Sequence, residues 1–359
     1  MRALALALLV VVVPLSGCFG GEARTEWAFD VTQLSTLADM GRSGSGVVVA
    51  ILDTGINPNH VALSHLFDGD RGNGEVIEFK DYVNHRDGVG NAYDDDGHGS
   101  HVAGIIAASG SSLGDKISYS GIDLLGGAPG VTLVIAKVCG PGSCNSQAIP
   151  DAINWAVSKH AQIISMSFGG DAALGVLGLN QDAMTQALNG AIAKGIVAVA
   201  AAGNTGPSND DVSEPADIPD VIGVGAIQED GTVWTNSSRG SPMANRCQPS
   251  PIPVLPSAGR CDPSKKPELV APGVDILSSW TDDKYVRATG TSQATPFVTS
   301  AIALLLQGRA PLHNADDVRH LKTVLEQTAR PVPGQTLPHD DAAGYGLLQA
   351  KAAYDAYRG

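Results

Sequence analysis

Aromatic side chains make up only 5% of this 359-residue chain, and basic groups are outnumbered, with 23 Lys and Arg against 37 Asp and Glu. Few aromatics beside 43 glycines argue against a sandwich of Tyr- and Val-rich strands and suit helices packed closely on a sheet. The shortage of basic groups leaves a formal net charge of -14. That balance argues against a nucleic-acid partner held by phosphate neutralisation and provides no basic patch for anionic lipid. Internal repeats are absent, and beyond the N-terminal leader no apolar stretch is long enough to span a bilayer. What the chain does have is length for one large α/β domain and a hydrophobic fraction of 43% to fill its core.

The leader, MRALALALLVVVVPLSGCFG, has a single Arg, an apolar run of export-signal length and small residues ahead of Cys18. It reads as a signal peptide over residues 1–17. The tetrad Leu15-Ser16-Gly17-Cys18 is similar to the lipobox of prokaryotic lipoproteins, which implies an acylated Cys18, a linker over 18–26 and a domain over 27–359. The expected location is the outer face of the cytoplasmic membrane by lipid anchor, or secretion; the alternatives are an ordinary cleaved signal and an uncleaved anchor. Setting Cys18 aside leaves Cys139 with Cys144 and Cys247 with Cys261 as two local pairs. Export makes two disulfides the expectation. Zinc held by all four thiolates is the alternative, although neither pair has CxxC spacing.

Apolar runs at 47–52 (VVVAIL), 131–138 (VTLVIAKV), 161–167 (AQIISMS) and 196–202 (IVAVAAA) are continuous rather than alternating. Strands buried on both faces have this pattern, and parallel strands need crossover helices between them. Helices are predicted over 100–109, 146–160, 181–194, 291–308 and 315–328. The fold expected is α/β, a doubly wound, mostly parallel sheet with helices on both faces. Residues 238–266, crowded with Pro, Ser and Gly and holding Cys247 and Cys261, are expected to form a stapled surface excursion.

Four short elements carry chemistry. Asp53 ends the first apolar run and is followed by Thr54-Gly55, at a strand end where open α/β sheets place ligands; an Asp there is by itself more often a turn former or helix cap. His98, in Asp94-Asp95-Asp96-Gly97-His98-Gly99-Ser100-His101, would stand at a helix start, with glycines allowing close approach. An acidic run with two His also suits a metal, zinc on His98 or calcium on the carboxylates. Ser292 falls in the first turn of a strongly apolar helix, where unpaired N–H groups favour developing negative charge; capping is the alternative role. Asn204, in Ala201-Ala202-Gly203-Asn204-Thr205-Gly206, is either a turn residue or an amide offered to an oxyanion. Together they supply an orienting carboxylate, a base, a nucleophile and an oxyanion donor.

With these motifs the chain resembles the subtilisin-like serine proteases. Their three signature blocks are matched by AILDTGI around Asp53, DGHGSHVAGIIA around His98 and GTSQATPFVTSAIALL around Ser292, with further matches in SMSFGG, ELVAPGVDILS and GYGLLQA. The resemblance implies an endopeptidase acting on polypeptides through an acyl-enzyme. Ser292 would be the nucleophile, His98 the base, Asp53 its orienter and Asn204 the oxyanion donor. It implies that Ser167, Phe168 and Gly169 pair with substrate backbone and, with Ala201, Ala202 and Gly203, wall the pocket for the residue before the scissile bond. The loop from Gly140 to Ser143 would form the other side of the cleft, pinned by Cys139 and Cys144. No cofactor is implied for catalysis. A structural calcium belongs to the family, but Ala62 stands where an Asp commonly binds it. Gln293 and Phe297 replace a usual Met and His, and residues before Trp27 leave no room for the usual inhibitory propeptide. Restraint would then come from an external inhibitor or from a low intrinsic activity tuned by the disulfide-bound cleft loop. A catalytically silent binding module with the same cleft is the alternative to the enzyme.

Overall fold

The continuous apolar runs become adjacent strands of one sheet. The computed structural model describes residues 5–7, 11–13, 26–69, 74–109, 124–169, 183–207, 211–248 and 259–358. Seven strands, β3 (Val48–Asp53), β4 (Glu75–Asp81), β5 (Thr132–Lys137), β8 (Ile163–Met166), β9 (Val197–Ala201), β10 (Ile222–Ile227) and β11 (Leu269–Pro272), lie in the order β11-β10-β9-β8-β3-β5-β4. Every pairing in it is parallel. All residues of β8, β9, β10 and β11 are buried, as expected where helices cover both faces. The edge strand β4, EVIEFKD, buries only Val76, Phe79 and Asp81, and its register against β5 shifts between Val76 and Glu78. Its mixed charges hid it from a search for apolar runs.

Short antiparallel pairings flank this sheet. β6 (Cys139–Gly140) and β7 (Ser143–Asn145) form a hairpin, and β12 (Ile276–Ser279) pairs with β13 (Tyr285–Thr289). Two leader segments, β1 (Ala5–Ala7) and β2 (Val11–Val13), pair with β7 and β13 respectively. The lipobox with Cys18 lies outside the described residues.

The expected helices appear as α3 (His98–Ala107), α4 (Ile149–Ser158), α5 (Ala183–Ile192), α6 (Thr291–Leu306) and α7 (Ala315–Thr328). The small α1 (Glu26–Val31) and α2 (Leu34–Asp39) occupy the segment before β3, and α8 (Ala350–Arg358) closes the described chain. Ala28, Leu34 and Leu37 are buried with residues as distant as Ala353 and Tyr354 in one hydrophobic core. Helix α6 is buried along its whole length and packs against α3 and strands β8 to β11. That position explains its uniformly apolar and small residues. Among the described residues, no helix is long and apolar enough to cross a membrane.

Both expected disulfides, Cys139–Cys144 and Cys247–Cys261, are formed. The Pro-rich excursion departs from a simple surface loop at its end. Lys266 is completely buried, its ammonium 2.8 Å from Glu268, and the Asn245 amide donates to the Lys266 carbonyl at 2.6 Å.

Candidate active site

Strand order reverses beside β3, because β4 and β5 lie to one side of it and β8 to β11 to the other. A crevice opens at the carboxyl ends of strands at such a point. Asp53, the last residue of β3, is fully buried there. Its Oδ1 accepts the Thr54 N–H at 2.7 Å and His98 Nδ1–H at 2.7 Å. This fixes the imidazole so that its Nε2 carries the lone pair, and Nε2 is buried without a hydrogen-bond partner among the described residues. Burial by itself pushes His98 down, but the Asp53 carboxylate beside it, with Asp96 and Asp94 beyond, outweighs burial and holds the group above its ordinary 6.5.

Close backbone contact places His98 against Asp53. A Cβ on Gly99 would stand 2.2 Å from the Gly55 carbonyl oxygen, so only glycine lets the first turn of α3 touch the turn after β3. Asp94 holds the two together. Its Oδ1 accepts from the Thr54 hydroxyl at 2.9 Å and the N–H groups of Asp96 and Gly97 at 3.1 and 2.9 Å. Its Oδ2 accepts the N–H and hydroxyl of Ser100 at 2.8 and 2.7 Å. The acidic run, read from sequence as a candidate calcium ligand, thus uses its first carboxylate as an acceptor for the start of α3. The second histidine, His101, is a core residue. Its Nε2–H faces the Ile276 and Val286 carbonyls at 3.0 Å each, and burial, assisted by the nearby His98, pushes it down to about 3.

Ser292 is the second residue of α6, tied to Asn204 through Thr291. The Asn204 Oδ1 accepts the Thr291 N–H at 2.9 Å and its hydroxyl at 3.0 Å, while the Thr291 oxygen accepts the Gly203 N–H at 3.0 Å. This orients the amide with its nitrogen away from Thr291. The Ser292 hydroxyl donates to the Ser167 carbonyl at 2.7 Å, and the Ser167 hydroxyl donates to the Ser292 carbonyl at 3.0 Å. Because Leu52 pairs with Met166, Ser167 and Asp53 lie at neighbouring strand ends. The structure thus pairs Asp53 with His98 and ties Ser292 to Asn204 through Thr291 and to Ser167, which follows the strand beside β3.

Ser167, Phe168 and Gly169 follow β8, and Ala202 and Gly203 follow Ala201 at the end of β9, so both expected walls extend from adjacent parallel strands. Ser213, which sequence reasoning missed, lies between them. A Cβ on Gly169 would come within 2.8 Å of the Ser213 Cβ, and one on Gly203 within 2.2 Å of its Oγ. Its N–H donates to the Ala202 carbonyl at 2.7 Å. The substitutions near Ser292 repack locally. Phe297 packs against Phe29 with ring centroids 5.0 Å apart and the planes tilted by 54°, and Gln293 is buried with Nε2 lacking a partner among the described residues. Lys137 was also missed, although a lysine inside an apolar strand signals a special environment.

The subtilase family model matches residues 44–346. Subtilisin Savinase from Lederbergia lenta is 29% identical over 91% of this chain and 97% of its own length. Subtilisin DY from Bacillus licheniformis is 33% identical over 87% of this chain and 92% of its own. Alkaline elastase YaB from Bacillus sp. (strain YaB) is 31% identical over 91% and 69%. With the parallel sheet and these matches in agreement, the chain belongs to the subtilase family of serine endopeptidases.

Proposed function

We propose that Asp53, His98 and Ser292 are the catalytic triad of an exported endopeptidase, and that the Asn204 amide and the Ser292 backbone N–H form its oxyanion hole. The observation that carries this reading is the 2.7 Å contact between the fully buried Asp53 and His98, which leaves Nε2 as the only basic nitrogen of the ring. Rotation of the Ser292 hydroxyl from the Ser167 carbonyl towards Nε2 prepares attack on the substrate carbonyl. His98 takes the hydroxyl proton as the Ser292 Oγ–carbon bond forms. It then returns the proton to the leaving amine as the peptide bond breaks, giving the acyl-enzyme, and water repeats the sequence to release the acid. Asp53 stabilises the imidazolium without being protonated. All these groups come from the chain, so catalysis needs no cofactor.

An extended polypeptide would pair with Ser167 to Gly169 on one side and the hairpin on the other, as an added strand. The slot between Gly169 and Gly203, floored by Ser213, would take the side chain before the scissile bond. Ala62 does not fit the family's strong calcium site, since it is buried with Ala108 and Leu124 and packed by Tyr285. For the N-terminus we retain a signal over 1–17, a lipid on Cys18 and a linker over 18–26, with the peptidase domain over 27–359.

A second reading, a silent binding module, draws on the Ser292 hydroxyl being engaged by Ser167 rather than by His98. One experiment separates them: hydrolysis of a mixed fluorogenic peptide library by the domain lacking residues 1–18, beside Ser292→Ala and a serine-directed phosphonate. Cleavage that both controls abolish is expected. A folded, disulfide-bonded protein without turnover or labelling would favour the binding module.

A further inference from the structure

Lys137 ends β5 opposite Asp53 in the parallel register and is completely buried. Burying an ammonium costs several kcal/mol unless each of its protons finds an acceptor. Here all three do. Nζ donates to the Thr54 carbonyl at 2.6 Å, to Asp95 Oδ1 at 2.5 Å and to the Cys139 carbonyl at 3.0 Å, and it lies 4.9 Å from the centre of the Tyr93 ring. The three acceptors belong to three different segments: the turn after Asp53, the acidic turn before His98, and the base of the disulfide-closed hairpin.

We propose that Lys137 is a positioning residue for the proposed triad, fixing the turn that follows Asp53 against the turn that precedes His98 and tying both to the cleft hairpin. The inference rests on the triad reading. Ammonium geometry explains why lysine suits the position: three donors on one tetrahedral nitrogen meet acceptors from three directions, which a planar fork would not do.

Its charge has a second consequence. His98 is faced by Asp53 from β3, by Asp94 and Asp96 from the turn before it, and by His101 from its own helix. Around Lys137 itself are Asp95, Asp53 on the neighbouring strand and Tyr93, whose ring also carries Arg86 at 4.4 Å and whose hydroxyl donates to Asp81 at 2.8 Å. Lys137 is thus the buried cation beside a run of carboxylates that favour imidazolium. Removing it strengthens their net field at His98 and raises the pH at which the base form appears. Removing the Asp95 charge does the reverse.

The test is the pH profile of kcat/KM for wild type, Lys137→Met and Asp95→Asn, with the His98 ring titrated by NMR in the same variants on a Ser292→Ala background. The expected acid limb and ring titration move up by ~0.3–1 pH unit in Lys137→Met and down by a similar amount in Asp95→Asn. In Lys137→Met, kcat is also expected to fall ~10- to 100-fold with little change in KM for short substrates. Asp95→Asn keeps an acceptor for Nζ on a partly exposed side chain, so it reports even if Lys137→Met fails to fold. Folded variants whose limb and ring titration coincide with wild type would overturn the inference. If wild type itself does not turn over, the triad reading fails, while the ring titration still decides whether Lys137 and Asp95 act on His98.

Discussion

Replacing Asp94 by Asn changes one atom's chemistry in the joint between β3 and α3. The native carboxylate accepts five hydrogen bonds, three at Oδ1 and two at Oδ2. Asparagine keeps the three at its carbonyl oxygen. Its NH2 group meets the Ser100 N–H donor to donor, while the Ser100 hydroxyl can turn and accept. The variant thus loses one charge-assisted bond, leaves an N–H unpaired and removes a negative charge from the turn just before α3. For a site that water partly reaches, these effects sum to about 2–3 kcal/mol. At roughly 2 °C per kcal/mol for a domain of this size, the melting temperature should fall by about 4–6 °C. The measurement belongs in a Ser292→Ala background, so that self-digestion does not mimic unfolding, with and without Asp94→Asn. In the active background kcat/KM should fall ~10- to 100-fold, since His98 starts the helix that Asp94 anchors. A melting temperature within about 1 °C of the parent would refute the argument that Asp94 holds this joint.

Because Asp53 and its neighbours hold His98 above 6.5, and only neutral imidazole accepts the serine proton, kcat/KM should fall as pH drops through a point above 6.5. An acid limb centred below 6.5 in the pH profile would contradict this. Ser213→Gly removes the side chain between Gly169 and Gly203; relative kcat/KM for a bulky over a small residue before the scissile bond should rise ~10-fold, and an unchanged ratio in a substrate series would show that Ser213 does not floor the pocket. Glu326 is buried and pushed up to about 8 from 4.5, chiefly by burial. A raised carboxyl pKa favours the folded state below the unfolded value and loses that advantage as pH rises through the folded one. Glu326→Gln should therefore gain ~1–3 kcal/mol over wild type at pH 8 and little at pH 4, checked by denaturant unfolding in a Ser292→Ala background at both values.

How the sequence is read depends on how local the signal is. Buried parallel strands announce themselves as unbroken apolar runs, so β3, β5, β8 and β9 and the helices between them were legible. Asp53, His98, Ser292 and Asn204 were legible because each sits at a strand end or helix start with its own neighbours in the motif. The edge strand β4 mixes half-buried Glu75, Glu78 and Lys80 with its apolar residues, and β10, IGVGAI, has too little bulk to stand out. The cysteine pairs were legible from short separation, since a small loop brings its ends together at little entropic cost.

Tertiary structure decided what depends on distant segments meeting. Nothing in the order of residues says that Lys137 would reach Thr54, Asp95 and Cys139 at once, or that Ser213 would fill the gap between two glycine-lined walls. Nor does it say that Asp94 would be consumed by N–H and O–H donors. Residue order alone sets which chemical groups are present and which strand or helix end carries each, because periodicity and capping act over a few residues. Only the packed sheet decided their partners, charge environment and remaining space, because hydrogen bonds and burial are properties of atoms brought together by the whole fold.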